Sequence, residues 1–118
     1  MFQILLRLKS RVGKTHEMLQ ALRTVMVRAQ FEQGYEGATL YTEANEVDRL
    51  CYIEEWDTEP DLEREIRSPR FGYILAISET AVETPVVLIR ALSDARGLEY
   101  VQALRGRRDD DDANRNVN

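Results

Sequence analysis

Residues 50–71, LCYIEEWDTEPDLEREIRSPRF, contain a change of period around which the rest of the chain is organised. Up to Trp56, two sets of residues alternate in steps of two, and Tyr, Trp, Cys and Ile are spread over both sets: Leu50, Tyr52, Glu54 and Trp56 on one side, Cys51, Ile53 and Glu55 on the other. Such residues suit a pleated and partly buried surface, so residues 48–56 are predicted to form a strand.

After this strand the pattern becomes helical. Thr58 can cap a helix that carries Pro60 in its first turn. Ser68 and Pro69 end the helix, because the residue before a proline is disfavoured in the helical region. Residues 71–77, FGYILAI, are predicted to form a second short helical or turn segment that is largely buried.

Elements of the same two kinds are predicted on both sides of this segment. Residues 2–9 alternate as a strand with one strongly apolar face, and residues 15–33 carry apolar residues at helical spacing. Two further strands are predicted at 35–43 and 84–92. The last strand is apolar on both faces, so we expect both faces to be covered. A short helix is predicted at 98–105.

This order, β-α-β twice with a helical appendix, predicts an α+β protein. The expected architecture is the ferredoxin-like split β-α-β arrangement with a four-stranded antiparallel sheet. The 118 residues suit one domain, which we place at 1–105, including the helix at 98–105. Residues 106–118, GRRDDDDANRNVN, have almost no apolar content and are predicted to form a flexible acidic polar tail.

One face of such a sheet has no helices on it, and the sequence does not make that face polar. We assign Leu5, Cys51, Ile53, Val87 and Ile89 to this bare face. An apolar sheet face needs a cover, and a second subunit is the simplest one. We therefore expect a homodimer in which two sheets face each other and form a dimeric α/β barrel.

Composition limits the classes of partner and the cellular location that we expect for this chain. A net charge of −5 and a pI of about 4.9 argue against nucleic acid or an anionic membrane as the main partner. The single cysteine, Cys51, cannot form an internal disulfide and suits a reducing compartment. No apolar run is long enough to span a bilayer, and the N-terminus lacks the order of a signal peptide. We therefore expect a cytoplasmic protein.

Several short motifs, taken together, resemble the antibiotic biosynthesis monooxygenase (ABM) domain family, whose members are dimeric α/β barrels. The resemblance covers about residues 2–92, and Glu-Trp followed by Ser-x-x-Phe is its most specific part. After the opening strand, the matching motifs are Gly13-Lys14, Leu19-x-Ala21-Leu22, Glu32-x-Gly34, Leu40-Tyr41, Tyr52-x-Glu54-Glu55-Trp56 and Leu62-x-x-x-Ile66-x-Ser68-x-x-Phe71.

The resemblance implies one of several activities. Some members of the family are cofactor-independent oxygenases of aromatic polyketides or quinols, some degrade haem, and many have no known activity. The haem-degrading members use a Trp in the short helix and a His on the next helix, where this chain has Glu65 and Leu75. The only histidine, His16, lies near the start of the long helix, so we discount haem and expect no cofactor. The histidine that many other members carry just after the Glu-Trp strand is missing as well.

The candidate catalytic residues are Glu54, Arg90 and Tyr52. Glu54 shares a strand face with Tyr52 and Trp56, and a buried carboxylate would have a raised pKa and could accept a proton. Arg90 lies on an otherwise apolar strand, where a charge is costly unless it is paired, and Glu54 is its predicted partner. A structural ion pair, an edge position, or an anchor for an anion or carbonyl would each explain Arg90.

The candidate substrate-binding residues are Trp56, Tyr41 and Tyr73. An indole can stack on a flat aromatic ligand, and phenolic hydroxyls can orient one. Packing in the core would explain the same residues without a ligand. No Cys/His grouping has metal spacing, and the GKT at 13–15 lacks the first glycine of a phosphate-binding loop, so we expect neither a metal nor a nucleotide.

Two functions remain open. The first is a cofactor-independent monooxygenase of an aromatic polyketide or quinol-type substrate, with Glu54 as the base, Arg90, Tyr52 or Tyr41 as a donor, and a small apolar aromatic molecule as the partner. The alternative is a non-catalytic dimeric module of the same fold that binds a small ligand, which the missing histidine favours.

Overall fold

The computed structural model describes residues 1–115, and the side chains of residues 1–107. The predicted elements are all found, and the last three residues of the predicted tail, 116–118, lie outside the described residues. No helix in the described part is long and apolar enough to cross a membrane. The elements are β1 (Phe2–Lys9), α1 (Thr15–Ala29), β2 (Tyr35–Thr42), β3 (Arg49–Trp56), α2 (Glu59–Arg67), α3 (Pro69–Ser78), β4 (Val86–Ala91) and α4 (Leu98–Arg115).

The four strands form one antiparallel sheet in the order β2-β3-β1-β4. This is the predicted ferredoxin-like split β-α-β arrangement. The two central strands pair along their whole length, from Phe2 opposite Trp56 to Lys9 opposite Arg49. Because residues directly opposite each other share a face, these registers fix which side chains point towards the helices.

One face of the sheet carries the helices and holds the hydrophobic core. Helix α1 lies over β2 and β3, and α2 lies over β1 and β3. Residues of β1 and β3 pack there against the apolar stripes of the three helices. The buried core residues are Ile4, Leu6, Leu8, Met18, Leu22, Val25, Leu50, Tyr52, Trp56, Leu62, Phe71 and Ile74.

Helices α2 and α3 begin at side-chain caps. The Thr58 hydroxyl accepts a hydrogen bond from the backbone N–H of Asp61 over 3.3 Å, which confirms the predicted cap. Ser68 does the same for Phe71 over 3.2 Å, and Pro69 follows it at the start of α3. The second short segment is therefore a full helix, with its own cap.

The long helix α1 ends at Ala29, earlier than its predicted end near Gly34. Gly34 instead shapes the turn into β2, with a φ of +81°. A Cβ atom at this position would lie 2.2 Å from the Asp61 side chain. Both the backbone angle and the close approach of α2 therefore require glycine here.

Strand β4 departs from the prediction, because all six of its residues are exposed although we expected both faces to be covered. Val87 lies opposite Leu6 and Ile89 opposite Ile4. Both residues therefore point to the helix side and not to the bare face, to which we had assigned them. Leu88 lies on the bare face instead. The helices lie over the β2-β3-β1 part of the sheet, so this edge strand projects beyond them.

Helix α4 runs from Leu98 to Arg115 and is longer than the predicted helix at 98–105. The radius of gyration of the chain is 19.5 Å, whereas a compact domain of this size has one of about 13 Å. A helix of 18 residues is about 27 Å long, so a projecting α4 accounts for the extended shape.

Candidate functional site

Three alternate residues of β3 place one carboxyl group between two donors. Tyr52, Glu54 and Trp56 point to the helix side and are 1%, 0% and 1% exposed. The Tyr52 hydroxyl donates a hydrogen bond to Glu54 Oε2 over 2.5 Å. Trp56 Nε1–H donates one to Glu54 Oε1 over 3.1 Å. The period of two along a strand brings the three side chains together, as predicted, and we call them the β3 triad.

The Trp56 ring is held in place by Tyr35 of the neighbouring strand β2. The two ring centroids lie 5.9 Å apart at an interplanar angle of 77°, which is an edge-to-face contact. Burial raises the pKa of Tyr35, and the charge of Glu54 adds to this effect. Tyr35 therefore lies close enough to the carboxyl group to respond to its charge.

A second buried carboxylate, Glu65 of α2, is held by Arg70 of α3. Arg70 Nε donates to Glu65 Oε1 over 3.1 Å, and Nη2 donates to the other carboxylate oxygen. Arg70 Nη1 also donates to Glu32 Oε1 over 3.1 Å. The side chains of Glu65 and Arg70 are 0% and 13% exposed, so this is a buried ion pair. Arg70 is engaged by two carboxylates, whereas Glu54 has only neutral donors.

This arrangement sets the protonation of Glu54. Burial, and then the charge of Glu65, raise the pKa of Glu54 to about 7, although the hydrogen bonds from Tyr52 and Trp56 lower it. Burial also raises the pKa of Tyr52, so its hydroxyl stays protonated and remains a donor. Glu54 is therefore a carboxyl group that can gain or lose a proton near neutral pH.

Two small cavities flank the β3 triad. An apolar cavity of about 10 Å³ adjoins Tyr52 and reaches Phe71, and half-exposed Leu75 and Val87 form its outer wall. A polar cavity of about 30 Å³ lies on the Trp56 side, against the Glu65–Arg70 pair. Each is large enough for about one or two water molecules.

Arg90 is not part of this site. It lies opposite Gln3, which in turn lies opposite Glu55, so Arg90 is on the bare face of the sheet. Glu54 is on the helix face, and β1 separates its strand from β4. The predicted pair between Arg90 and Glu54 is therefore wrong. Arg90 is exposed on the edge strand, where a charge needs no buried partner.

The predicted substrate-binding residues lie in three different places. Trp56 belongs to the β3 triad. Tyr41 lies opposite Cys51 on the bare face and is 49% exposed. Tyr73 lies on the outer side of α3 and is 59% exposed. Neither tyrosine is near Glu54, because alternation along β2 and helical spacing along α3 turn them away.

The sequence pattern did not predict the Glu65–Arg70 pair or the apolar wall beside Tyr52. In α2, Leu62 and Glu65 are buried, whereas Ile66 is 37% exposed. Glu65 lies three residues after Leu62, on the same side of the helix, which was the available signal. Among the described residues, no group of three or more His, Cys, Asp or Glu side chains is placed to hold a metal ion.

A larger groove lies on the outer side of α1 and α3, away from the β3 triad. Its volume is about 680 Å³, and most of its lining is apolar or small. Arg70 forms part of this groove as well as of the pair with Glu65. We call it the α1–α3 groove; it is lined by Ala21, Thr24, Val25, Arg28, Pro69, Arg70, Tyr73, Ala76, Ile77 and Thr80.

Comparison with known proteins identifies the fold. No family model matches the sequence, and no curated protein matches it at a significant level. SnoaB from Streptomyces nogalater, a cofactor-independent oxygenase, superposes with a TM-score of 0.69 at 14% identity, over 80% of this chain and 94% of that chain. A conserved protein from Methanosarcina mazei Go1 superposes with a TM-score of 0.68 at 21% identity, over 75% and 89%.

A further solved structure carries the family name itself. A protein described as an antibiotic biosynthesis monooxygenase superposes with a TM-score of 0.68 at 14% identity, over 80% of this chain and 100% of that chain. The chain therefore has the α+β fold of these proteins, which confirms the predicted fold class and supports the resemblance found in the motifs.

Proposed function

We propose that this chain is a cofactor-independent monooxygenase of an electron-rich apolar aromatic, such as an anthrone or a quinol. The observation that carries the proposal is the buried carboxyl group of Glu54, whose pKa lies at about 7. Its Tyr52 partner forms part of an apolar cavity between the sheet and the helices. The shared fold with a cofactor-independent oxygenase supports the same reaction class.

In the proposed reaction the substrate itself reduces oxygen. Removal of one proton from an activated CH₂ group of an anthrone leaves a carbanion, which donates electrons to O₂ as a C–O bond forms. The resulting peroxide takes up a proton, and loss of water leaves a carbonyl. The CH₂ group and one O₂ thus become C=O and H₂O, and the protein has to supply only a base, a donor and a dry pocket.

The residues divide these roles. Glu54 accepts the proton through the hydroxyl of Tyr52, which donates to the carboxylate and whose side chain forms part of the cavity wall. Tyr52 keeps its own proton on average because its pKa is raised, so the transfer is a concerted relay rather than a separate ionisation. The buried Trp56 N–H holds the second carboxylate oxygen in place.

The cavity must widen to admit an aromatic ring. Its volume of about 10 Å³ suits one water molecule and not a substrate. Leu75 and Val87, on its outer wall, are 46% and 44% exposed, so rotation of their side chains would open a path towards Tyr52. The entrance is on the β4 side of the sheet.

The closed state of this cavity favours a second candidate function. A non-catalytic module that binds a small ligand needs no access to Glu54, and the chain has a far larger apolar groove elsewhere. In this alternative the β3 triad is a buried polar network that fixes the packing of the core.

Oxygen uptake with anthrone as substrate tests the proposal. Glu54→Gln should reduce the rate about 100-fold or more, because it removes the base and keeps the shape. Glu55→Gln is the matched control, since Glu55 is the next residue but points to the bare face, and its rate should not change. A Glu54→Gln variant with the full rate would show that Glu54 is not the base. Binding of anthrone without oxygen uptake by the unaltered protein would support the second function.

We also propose that the chain forms a homodimer through the bare sheet face. Leu5, Ile53 and Leu88 give this face an apolar centre, and Leu88 is 48% exposed in the single chain. Apposition of two such faces would remove this surface from water and close the predicted barrel. Sedimentation equilibrium at micromolar concentration tests this proposal, and a monomer would refute it.

A further inference from the structure

Helix α4 exposes an apolar stripe that its own chain leaves uncovered. Leu98, Val101 and Leu104 recur every three residues on one side of the helix. They are 65%, 48% and 44% exposed, and the neighbouring Tyr100 is 43% exposed. We call the first three residues the α4 stripe. Most of the stability of a helix comes from packing its apolar side, and Gly106 in its interior costs about 1 kcal/mol, so α4 needs a partner surface.

The α1–α3 groove has the shape that such a helix requires. Small side chains at Ala21, Thr24 and Ala76 leave room for larger side chains to enter between two helices. The groove follows α3 from Pro69 to Ile77, a rise of about 12 Å. The α4 stripe covers about 9 Å of helix, so it fits within this length.

The charges beside the two surfaces are also complementary. Glu99 lies in the first turn of α4, next to the stripe. Arg28 lies at the edge of the groove, and it makes no ion pair within the part of the chain that the structure describes. A carboxylate arriving with α4 would give this guanidinium a partner.

We propose that α4 of one chain packs into the α1–α3 groove of a second copy of this chain. The helix projects away from the body of its own chain, which raises the radius of gyration to 19.5 Å and leaves the stripe uncovered. Exchange of two such helices is reciprocal, so each copy fills the groove of the other and the contact closes as a two-fold dimer. This contact is separate from the bare sheet face, and it does not depend on any catalytic activity.

Chemical cross-linking between different variants tests the exchange. All variants carry Cys51→Ala, so that no native thiol reacts. Full-length Val101→Cys protein is mixed with full-length Ala76→Cys protein and treated with a short bis-maleimide. The proposal predicts a covalent dimer as the main product. Val101→Cys mixed with Val12→Cys is the matched control and should give little dimer, because Val12 is 91% exposed and does not line the groove.

The two remaining outcomes overturn the proposal. A chain that carries both Val101→Cys and Ala76→Cys and yields mainly an internally linked monomer would show that α4 fills its own groove. A mixture that cross-links no more than the Val12 control would show that α4 does not use the groove at all.

A second pair of variants separates docking from general loss of structure. Leu104→Asp, added to the Val101→Cys chain, should lower the yield of cross-linked dimer about tenfold, because it puts a charge into an apolar contact. Ala103→Asp lies on the opposite side of the helix and should leave the yield unchanged. Equal yields from the two variants would refute the predicted orientation of α4.

Discussion

On the helix side of the sheet, strand β3 buries a carboxyl group, whereas strand β4 leaves apolar side chains exposed. On the helix side, β3 buries Glu54 completely, while β4 leaves Val87 and Ile89 at 44% and 48% exposure. The difference follows from position, because β3 lies between two strands under the helices and β4 is the uncovered edge strand. Hydrophobicity alone therefore does not decide burial in this chain; the cover available at each position does.

The two strands also differ in how the unfavourable placement of these side chains is offset. The cost of burying a carboxyl group in β3 is offset by two hydrogen bonds and by partial protonation. No such local solution exists for apolar side chains on β4, since only another apolar surface removes them from water. The β3 end of the molecule is thus satisfied within one chain, whereas the β4 and α4 end exposes apolar side chains that we propose are covered in an assembly.

The largest expected effect is a loss of stability on breaking the buried Glu65–Arg70 ion pair. Arg70→Met leaves Glu65 as an uncompensated buried charge, which should lower the free energy of unfolding by about 3–5 kcal/mol. Urea denaturation followed by tryptophan fluorescence measures the change. Arg67→Met is the matched control, because Arg67 is 79% exposed and its pair with Glu63 spans 3.9 Å, so its effect should be close to zero. Equal losses in both variants would show that the buried pair has no special role.

The pH dependence of stability should come next in size. Glu54 has a pKa raised to about 7 from an ordinary 4.5, so between these values the native state binds more protons than the unfolded state. The free energy of unfolding should therefore fall as the pH rises from about 4.5 to about 7, by about 3 kcal/mol for this group. Glu54→Gln should remove this fall. A variant that keeps the same slope would assign it to another group.

On strand β4, a single charge introduced on the bare face of the sheet should weaken the proposed dimer. Leu88→Glu places a carboxylate in the apolar centre of the face, at a cost of about 1–3 kcal/mol. The dissociation constant should rise about 10- to 100-fold, as measured by sedimentation equilibrium with Leu104→Asp in both chains, so that the proposed α4 contact does not contribute. The stability of the monomer should not change, since Leu88 is half exposed in one chain. Val12→Glu, at a loop position, should leave the dimer intact.

The sequence predicted the elements better than the faces. Period-two spacing identified all four strands, and the cap at Thr58 marked where α2 begins. Ser68 was interpreted only as the end of α2, although its side chain also caps α3. The faces of β4 were assigned the wrong way round, because both sides of this strand are equally apolar and only the register with β1 distinguishes them.

The site was predictable where it lies within one strand. Tyr52, Glu54 and Trp56 share a face by alternation alone, so the β3 triad follows directly from the sequence. The Glu65–Arg70 pair joins two helices, and its geometry depends on the angle between them, which the sequence pattern does not give. The sequence pattern also does not give the order of the strands. Arg90 was wrongly paired with Glu54 because β1 lies between their two strands.

The smallest expected effect concerns a single hydroxyl. Tyr52→Phe removes the donor to Glu54 Oε2, which favours the ionised carboxylate, and should therefore raise the pKa of Glu54 further above 7. The pH range over which the stability falls with rising pH is called the pH window here. A hydrogen bond to a charged group contributes about 1.5 kcal/mol or more, so the upper end of this window should move up by about one unit. Tyr41→Phe, with a half-exposed ring on the bare face, should leave the window unchanged. If the window moves down, the Tyr52 hydroxyl does not stabilise the carboxylate. The relay proposed for oxygen chemistry would then lose its first step, because that step requires this hydroxyl to donate to Glu54.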